Sequence, residues 1–117
     1  MKKLLGDEYN DFEQSLLKPR AHGLRINEKR CDINNFPAKN VFTLTPVPWC
    51  KTGFYYPSDE RAGKHPYYEA GLYYIQEPSA MAVGTLADIQ KGEWVLDLCA
   101  APGGKSTHLA PNADLIV

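Results

Sequence analysis

Between Val95 and Thr107 the chain reads VLDLCAAPGGKST, where an acid, a thiol, a lysine and two hydroxyls stand around a turn of small residues. Val95, Leu96 and Leu98 have the character of a buried parallel strand. Pro102, Gly103 and Gly104 have that of a tight loop whose backbone comes close to a ligand. At the C-terminal end of a strand and at the opening of a helix, such a loop is where open α/β sheets bind nucleotide-like cofactors.

Spacing narrows the choice of cofactor. The phosphate loop of NTPases requires Gly, four residues, then Gly-Lys-Ser/Thr, and counting back from Gly104-Lys105-Ser106 puts Cys99 where the first Gly belongs. The dinucleotide fingerprint fails too, because Cys99 and Ala101 occupy its first and third positions. What remains is Asp97 followed by Cys99, Ala101 and Gly103 at alternate positions, a row of tiny side chains behind an acid. That pattern suits a cofactor whose charged part is an amino acid and whose adenosine packs flat, which is S-adenosylmethionine.

A strand must deliver this loop and a helix must receive it. The turn Lys91-Gly92-Glu93 leads into a strand over 94–98, a helix is expected from 104 to 110 before Pro111-Asn112, and 115–117 begins a second parallel strand. Upstream, Pro78 starts a helix whose Ala80, Met81, Val83, Leu86 and Ala87 are expected to face a sheet. Residues 4–17 carry helical spacing ended by Pro19. HGLRIN at 22–27, then 41–44, 53–56 and 71–76, read as short strands, with a helical turn at 31–36. The expected fold class is α/β: a small α+β N-terminal domain of split-βαβ character over 1–60, then the truncated start of a Rossmann-like sheet over 61–117.

A chain of 117 residues is too short for a complete doubly wound sheet of about six strands. A hydrophobic share of 44% and a charged share of 23% predict a packed core rather than disorder. No apolar run approaches the roughly 20 residues of a membrane span, so a cytoplasmic protein is expected. The three cysteines, Cys31, Cys50 and Cys99, lack the spacing of a disulfide framework or zinc site, and no metal is expected. His65 and His108, each without a partner pattern, are expected at the surface.

With a net charge of −1 the chain has no global attraction for nucleic acid, so any such contact must be local. One candidate patch holds Lys18, Arg20, Arg25, Lys29 and Arg30 against the single acid Glu28. A second sets Arg61, Lys64 and His65 beside Tyr67, Tyr68, Tyr73 and Tyr74. The competing readings are a solvated basic face and core tyrosines with polar tips.

DLCAAPGGKST resembles the cofactor loop of the Nop/Sun family of S-adenosylmethionine-dependent RNA cytosine-5 methyltransferases. GKHPYYEAGLYYIQEPSAMA at 63–82 is similar to the block preceding that loop, and HGLRIN and VPWCKTGFYY to the N-terminal region of its bacterial 16S ribosomal-RNA members. The resemblance covers the chain from about Tyr9 onward. It implies a class I methyltransferase sheet, an RNA partner, and cofactor contacts from Cys99, Ala100, Ala101, Pro102, Gly103, Gly104 and Lys105.

The resemblance further implies that Asp97 orders the loop and that Gln76, Glu77 and Pro78 position it. In that family a cysteine thiolate adds to C6 of cytosine so that C5 can attack the methyl group. Cys99 matches a loop position rather than that nucleophile, and Cys31 and Cys50 match no catalytic motif, so no catalytic residue is assigned here. Two other readings stay open: an RNA- or partner-binding module with a vestigial cofactor loop, and a ribose methyltransferase, in which an aromatic residue usually replaces Lys105.

Overall fold

A computed structural model describes residues 1–38 and 41–117. The N-terminal helical stretch is split at Gly6 into α1 (Lys2–Leu5), a 3-10 turn (Gly6–Glu8) and α2 (Tyr9–Leu16). Four strands follow, β1 (His22–Ile26), β2 (Thr45–Pro46), β3 (Gly53–Tyr56) and β4 (Tyr73–Ile75), in the order β2-β3-β1-β4 with every neighbouring pair antiparallel.

Two parallel relationships follow from that order. β2 runs parallel to β1 with β3 between them, and β4 runs parallel to β3 with β1 between them. The single-turn helix α3 (Asn35–Ala38) connects the first pair and α4 (Pro66–Glu69) the second. These are two interlocked split β-α-β units, the ferredoxin-like arrangement. The split-βαβ expectation therefore describes this sheet, whose fourth strand comes from beyond residue 60.

Strand alternation gives the sheet two unlike faces. On one, Leu24, Ile26, Phe54 and Tyr73 pack with Phe36 and Ala62 into the main core. Tyr73 receives Phe36 and Phe42 edge-on at 5.6 and 5.7 Å and donates its hydroxyl to the Ala62 carbonyl at 2.6 Å. Burial pushes this phenol up to about 12. The other face carries Gly23, Arg25, Gly53 and Tyr74, and over it lies α5 (Pro78–Ala87).

The contact with α5 depends on missing side chains. Met81, fully buried, sits above Gly23 and Gly53, and a Cβ on Gly23 would come within 2.7 Å of the Gln76 carbonyl oxygen. Burying a methionine of this kind contributes about 1.5–3 kcal/mol. The face that α5 buries is Pro78, Met81 and Gly84; Val83, Leu86 and Ala87, expected to face the sheet, are exposed. Spacing of three along the helix, with glycine at the close approach, decides this.

β5 (Trp94–Val95) and β6 (Leu115–Ile116) pair in parallel, with α6 (Ser106–Leu109) between them in the chain. The ladder continues through Val117 N–H to Val95 O at 2.9 Å and Asp97 N–H to Val117 O at 2.7 Å. This is the expected start of a Rossmann-like sheet, in shorter elements. It is parallel but not buried: Leu96 is 67% and Leu98 84% exposed, because two strands give these side chains nothing to pack on among the described residues.

Three smaller expectations shift. The strand placed at 41–44 forms instead at Thr45–Pro46, as Thr43 N–H is taken by the Glu60 carboxylate at 3.0 Å. The turn at 31–36 becomes α3, because Asp32 binds the amides of Asn34, Asn35 and Phe36 and starts the helix later. Pro37 is tolerated in that first turn, where no amide donor is needed. His65 caps α4, its Nδ1 accepting from Tyr67 N–H at 3.2 Å.

His108 is likewise not a surface group. Its ring presses on Gly84, Nε2 lies 3.8 Å from Cys50 Sγ, and the buried Nδ1 has no hydrogen-bond partner among the described residues. Burial first, and then the nearby Arg25 charge, lower its pKa to about 4.

Gly23→Ala is expected to destabilise the chain by about 1–3 kcal/mol, since the contact it creates is with backbone; thermal unfolding measures this. His108 is neutral when folded but takes a proton near its ordinary 6.5 when unfolded. Stability should therefore fall as pH drops from about 6.5 and level off near 4. Urea unfolding across that window should show the fall, and His108→Gln should flatten it.

Candidate functional site

The loop after β5 is held by three anchors. Within it, Asp97 receives the Cys99 N–H on Oδ1 at 3.0 Å and the Ser106 hydroxyl on Oδ2 at 2.6 Å, tying the strand end to the first turn of α6. The Ser106 bond and then the Cys99 bond hold this carboxyl below its ordinary range. Gly103, at φ +97°, turns the chain, and its carbonyl accepts both Thr107 N–H at 2.9 Å and Thr107 Oγ1–H at 2.7 Å.

The second anchor is Tyr74, whose hydroxyl donates to the Pro102 carbonyl at 2.9 Å. The third is Arg25, 4% exposed on the β1 face opposite the core. Its Nε donates to Gln76 Oε1 at 3.0 Å, Nη2 to Thr107 Oγ1 at 2.9 Å and to Gly104 O at 3.4 Å, and Nη1 to Thr107 O at 3.4 Å. Desolvation lowers its pKa, yet a guanidinium keeps its charge. Its partners are thus a side-chain amide, a hydroxyl and carbonyl oxygens.

Between loop and sheet opens a cleft of about 200 Å³. Cys99, Ala100, Ala101, Pro102, Gly104 and Lys105 line it from the loop; Tyr74, Ile75, Gln76, Glu77 and Ala80 line it from β4 and the start of α5. Of the residues expected from sequence to form the site, Gly103 alone stands outside this lining, at the bend behind it. Walls of small residues with the cation of Lys105 and the anion of Glu77 suit a flat adenosine and a zwitterionic end. The loop offers surface and backbone rather than an activated acid or base.

Other candidates disperse. Arg25 leaves the first basic patch for the interior, while Tyr73 and half-buried Tyr67 of the second belong to the aromatic core. Cys50 is buried against Thr52 and His108, in a separate cleft of about 480 Å³ beside Trp49 and Thr85. Among the described residues, no three His, Cys, Asp or Glu gather as metal ligands, and no helix is long and apolar enough to cross a membrane. Sequence reasoning missed the structural part played by Arg25. The available signal was strand parity, since Arg25 must point away from Leu24 and Ile26.

Arg25→Met is expected to cost about 2–3 kcal/mol, since it removes charge-assisted bonds and leaves the acceptor of the buried Gln76 without its partner. Amide exchange in 103–107 should quicken more than in β3. Arg25→Lys should recover only part of the loss, lacking the planar fork.

Over residues 1–78 the chain matches the family described as the N-terminal domain of 16S rRNA methyltransferase RsmF. It is 35% identical over 124 residues to the ribosomal RNA small subunit methyltransferase F of Vibrio cholerae, covering 97% of this chain and 26% of that protein. Against the same-named Escherichia coli protein the identity is 33% over 111 residues, covering 87% and 23%. The chain thus spans about a quarter of the length of the curated relatives it matches. A crystal structure of a methyltransferase homologue from Pyrococcus horikoshii superposes with a TM-score of 0.82 at 30% identity, over 94% of this chain and 39% of that one. From the loop motif, the ferredoxin-like sheet and these matches together, the chain belongs to the family of the 16S rRNA methyltransferase RsmF, whose N-terminal domain its residues 1–78 represent.

Proposed function

We propose that this chain is the N-terminal part of an S-adenosylmethionine-dependent 16S rRNA cytosine-5 methyltransferase acting in the cytoplasm, and that the loop from Asp97 to Thr107 holds the methyl donor. One observation carries the reading. All the residues expected from the loop motif except Gly103 line a single cleft with Tyr74 and Gln76, and Arg25 pins that cleft from the opposite unit.

The bound donor would supply an electrophilic methyl group. This chain's residues do the holding: Cys99, Ala100, Ala101 and Pro102 form a thin wall, Gly103 bends it, and Gly104 keeps it close to the Tyr74 ring. Lys105 and Glu77 would meet the carboxylate and the ammonium of the amino-acid end. Cys99 belongs to that wall, and Cys31 and Cys50 line no part of the cleft. We further propose that the N-terminal unit extends to about residue 78 rather than 60, supported by the pairing of β4 with β1 and by the extent of the family match.

Calorimetric titration with S-adenosylhomocysteine should show binding, and Gly104→Leu should weaken it at least about tenfold by filling the cleft. The chain alone should not methylate 16S rRNA from labelled donor. Failure to bind, both here and in a form extended to the length of its relatives, would overturn the donor reading in favour of a binding module with a vestigial loop.

A further inference from the structure

Beside the donor cleft, across Tyr74, lies a second concavity of about 300 Å³ between the end of β1, β4 and the far end of α6. Its lining includes Arg25, Asn27, Lys29 and Arg30 from one side, Tyr74 from the floor and Thr107 opposite; among the described residues no Asp or Glu lines it. We propose that this cleft binds backbone phosphate of the single-stranded RNA substrate. The inference rests on the RNA methyltransferase reading and deepens it.

Charge is the first ground. Three cations meet in one concavity of a chain whose net charge is −1, and field lines are focused there. The second is that none of them spends its charge on a carboxylate among the described residues. Lys29 Nζ donates to the Ala110 carbonyl at 3.2 Å, Arg30 Nη1 to the Ala70 carbonyl at 2.9 Å, and Arg25 to Gln76, Gly104 and Thr107. Neutral acceptors, main-chain carbonyls for Lys29 and Arg30, fix where these groups sit, and none is hydrogen-bonded to a carboxylate among the described residues. Lys29 keeps two further N–H donors and Arg30 four.

Position is the third ground. Tyr74 lines both clefts and its hydroxyl holds the Pro102 carbonyl of the donor loop, so an anion seated on Lys29 and Arg30 lies next to the proposed methyl donor. A methyltransferase acting on a base must hold that nucleotide's backbone within reach of the methyl group. Phosphate contacts do this without reading sequence. The half-buried Tyr74 ring adds an aromatic surface of the kind on which unpaired bases stack.

The test is fluorescence anisotropy with a labelled single-stranded RNA oligonucleotide over a series of salt concentrations, on wild type and on Lys29→Gln/Arg30→Gln. The double variant should bind more weakly, and the slope of log K against log salt should become shallower by about 0.7 for each phosphate that is no longer neutralised. Lys29→Arg/Arg30→Lys should keep the wild-type slope, which separates charge from folding, and Lys91→Gln on the opposite unit should change nothing. An unchanged slope in the double variant overturns the inference and leaves the donor reading standing, as does a wild type that binds S-adenosylhomocysteine but not RNA. RNA binding that depends on Lys29 and Arg30, with no S-adenosylhomocysteine binding either in this chain or in the form extended to the length of its relatives, supports the cleft and overturns the donor reading.

Discussion

A buried guanidinium with no carboxylate among its hydrogen-bond partners governs how the two parts of this chain meet. Arg25 sits mid-strand in β1, between Gly53 on one neighbour and Tyr74 on the other, on the face away from the aromatic core. Removing such a charge from water is costly unless hydrogen bonds replace its hydration. Here the replacement comes from Gln76 at the end of the sheet and from the Gly104 and Thr107 oxygens of the loop. The loop after β5 is therefore part of what solvates the sheet's own arginine, and its place is set by that requirement.

The same face explains how the sheet is used. In RNA-recognition modules built on a four-stranded sheet, aromatic side chains on the open face stack bases. In this chain the aromatics Phe54, Tyr73 and Phe36 are turned inward, and the opposite face offers glycine, on which Met81 of α5 closes. α5 thereby covers the Gly23 and Gly53 part of that face and leaves Tyr74, on the edge strand β4, half-buried beside the loop. Lys29 and Arg30 stand in a concavity that shares Tyr74 with the cleft under the loop.

The loop is stiffened from within by the same economy of groups. Asp97 takes one amide and one hydroxyl, and Thr107 serves both Gly103, as donor, and Arg25, as acceptor. Each is a short polar side chain acting on nearby groups of the loop, which leaves the wall of the cleft to alanine, proline and glycine. A bulkier or more reactive wall would compete with a flat ligand for the space.

Local patterns were legible in the residues alone: the strand at 22–26, the split-βαβ character, the start of a parallel sheet, and a loop in which an acid and a glycine bend join a strand to a helix. These features depend on near neighbours, on alternation, on proline and glycine, and on a carboxylate two residues from the amide it binds. What required the folded chain was everything set by long-range contact. Arg25 read as surface charge because no local pattern announces a partner some eighty residues away. His108 read as exposed because Gly84 and Cys50 reach it only through packing. The buried side of α5 followed glycine and methionine rather than the more hydrophobic Val83 and Leu86, since close approach to Gly23 and Gly53 selects the face. Propensity and spacing act within a few residues, whereas burial and charge compensation belong to surfaces that exist only once the chain has closed on itself.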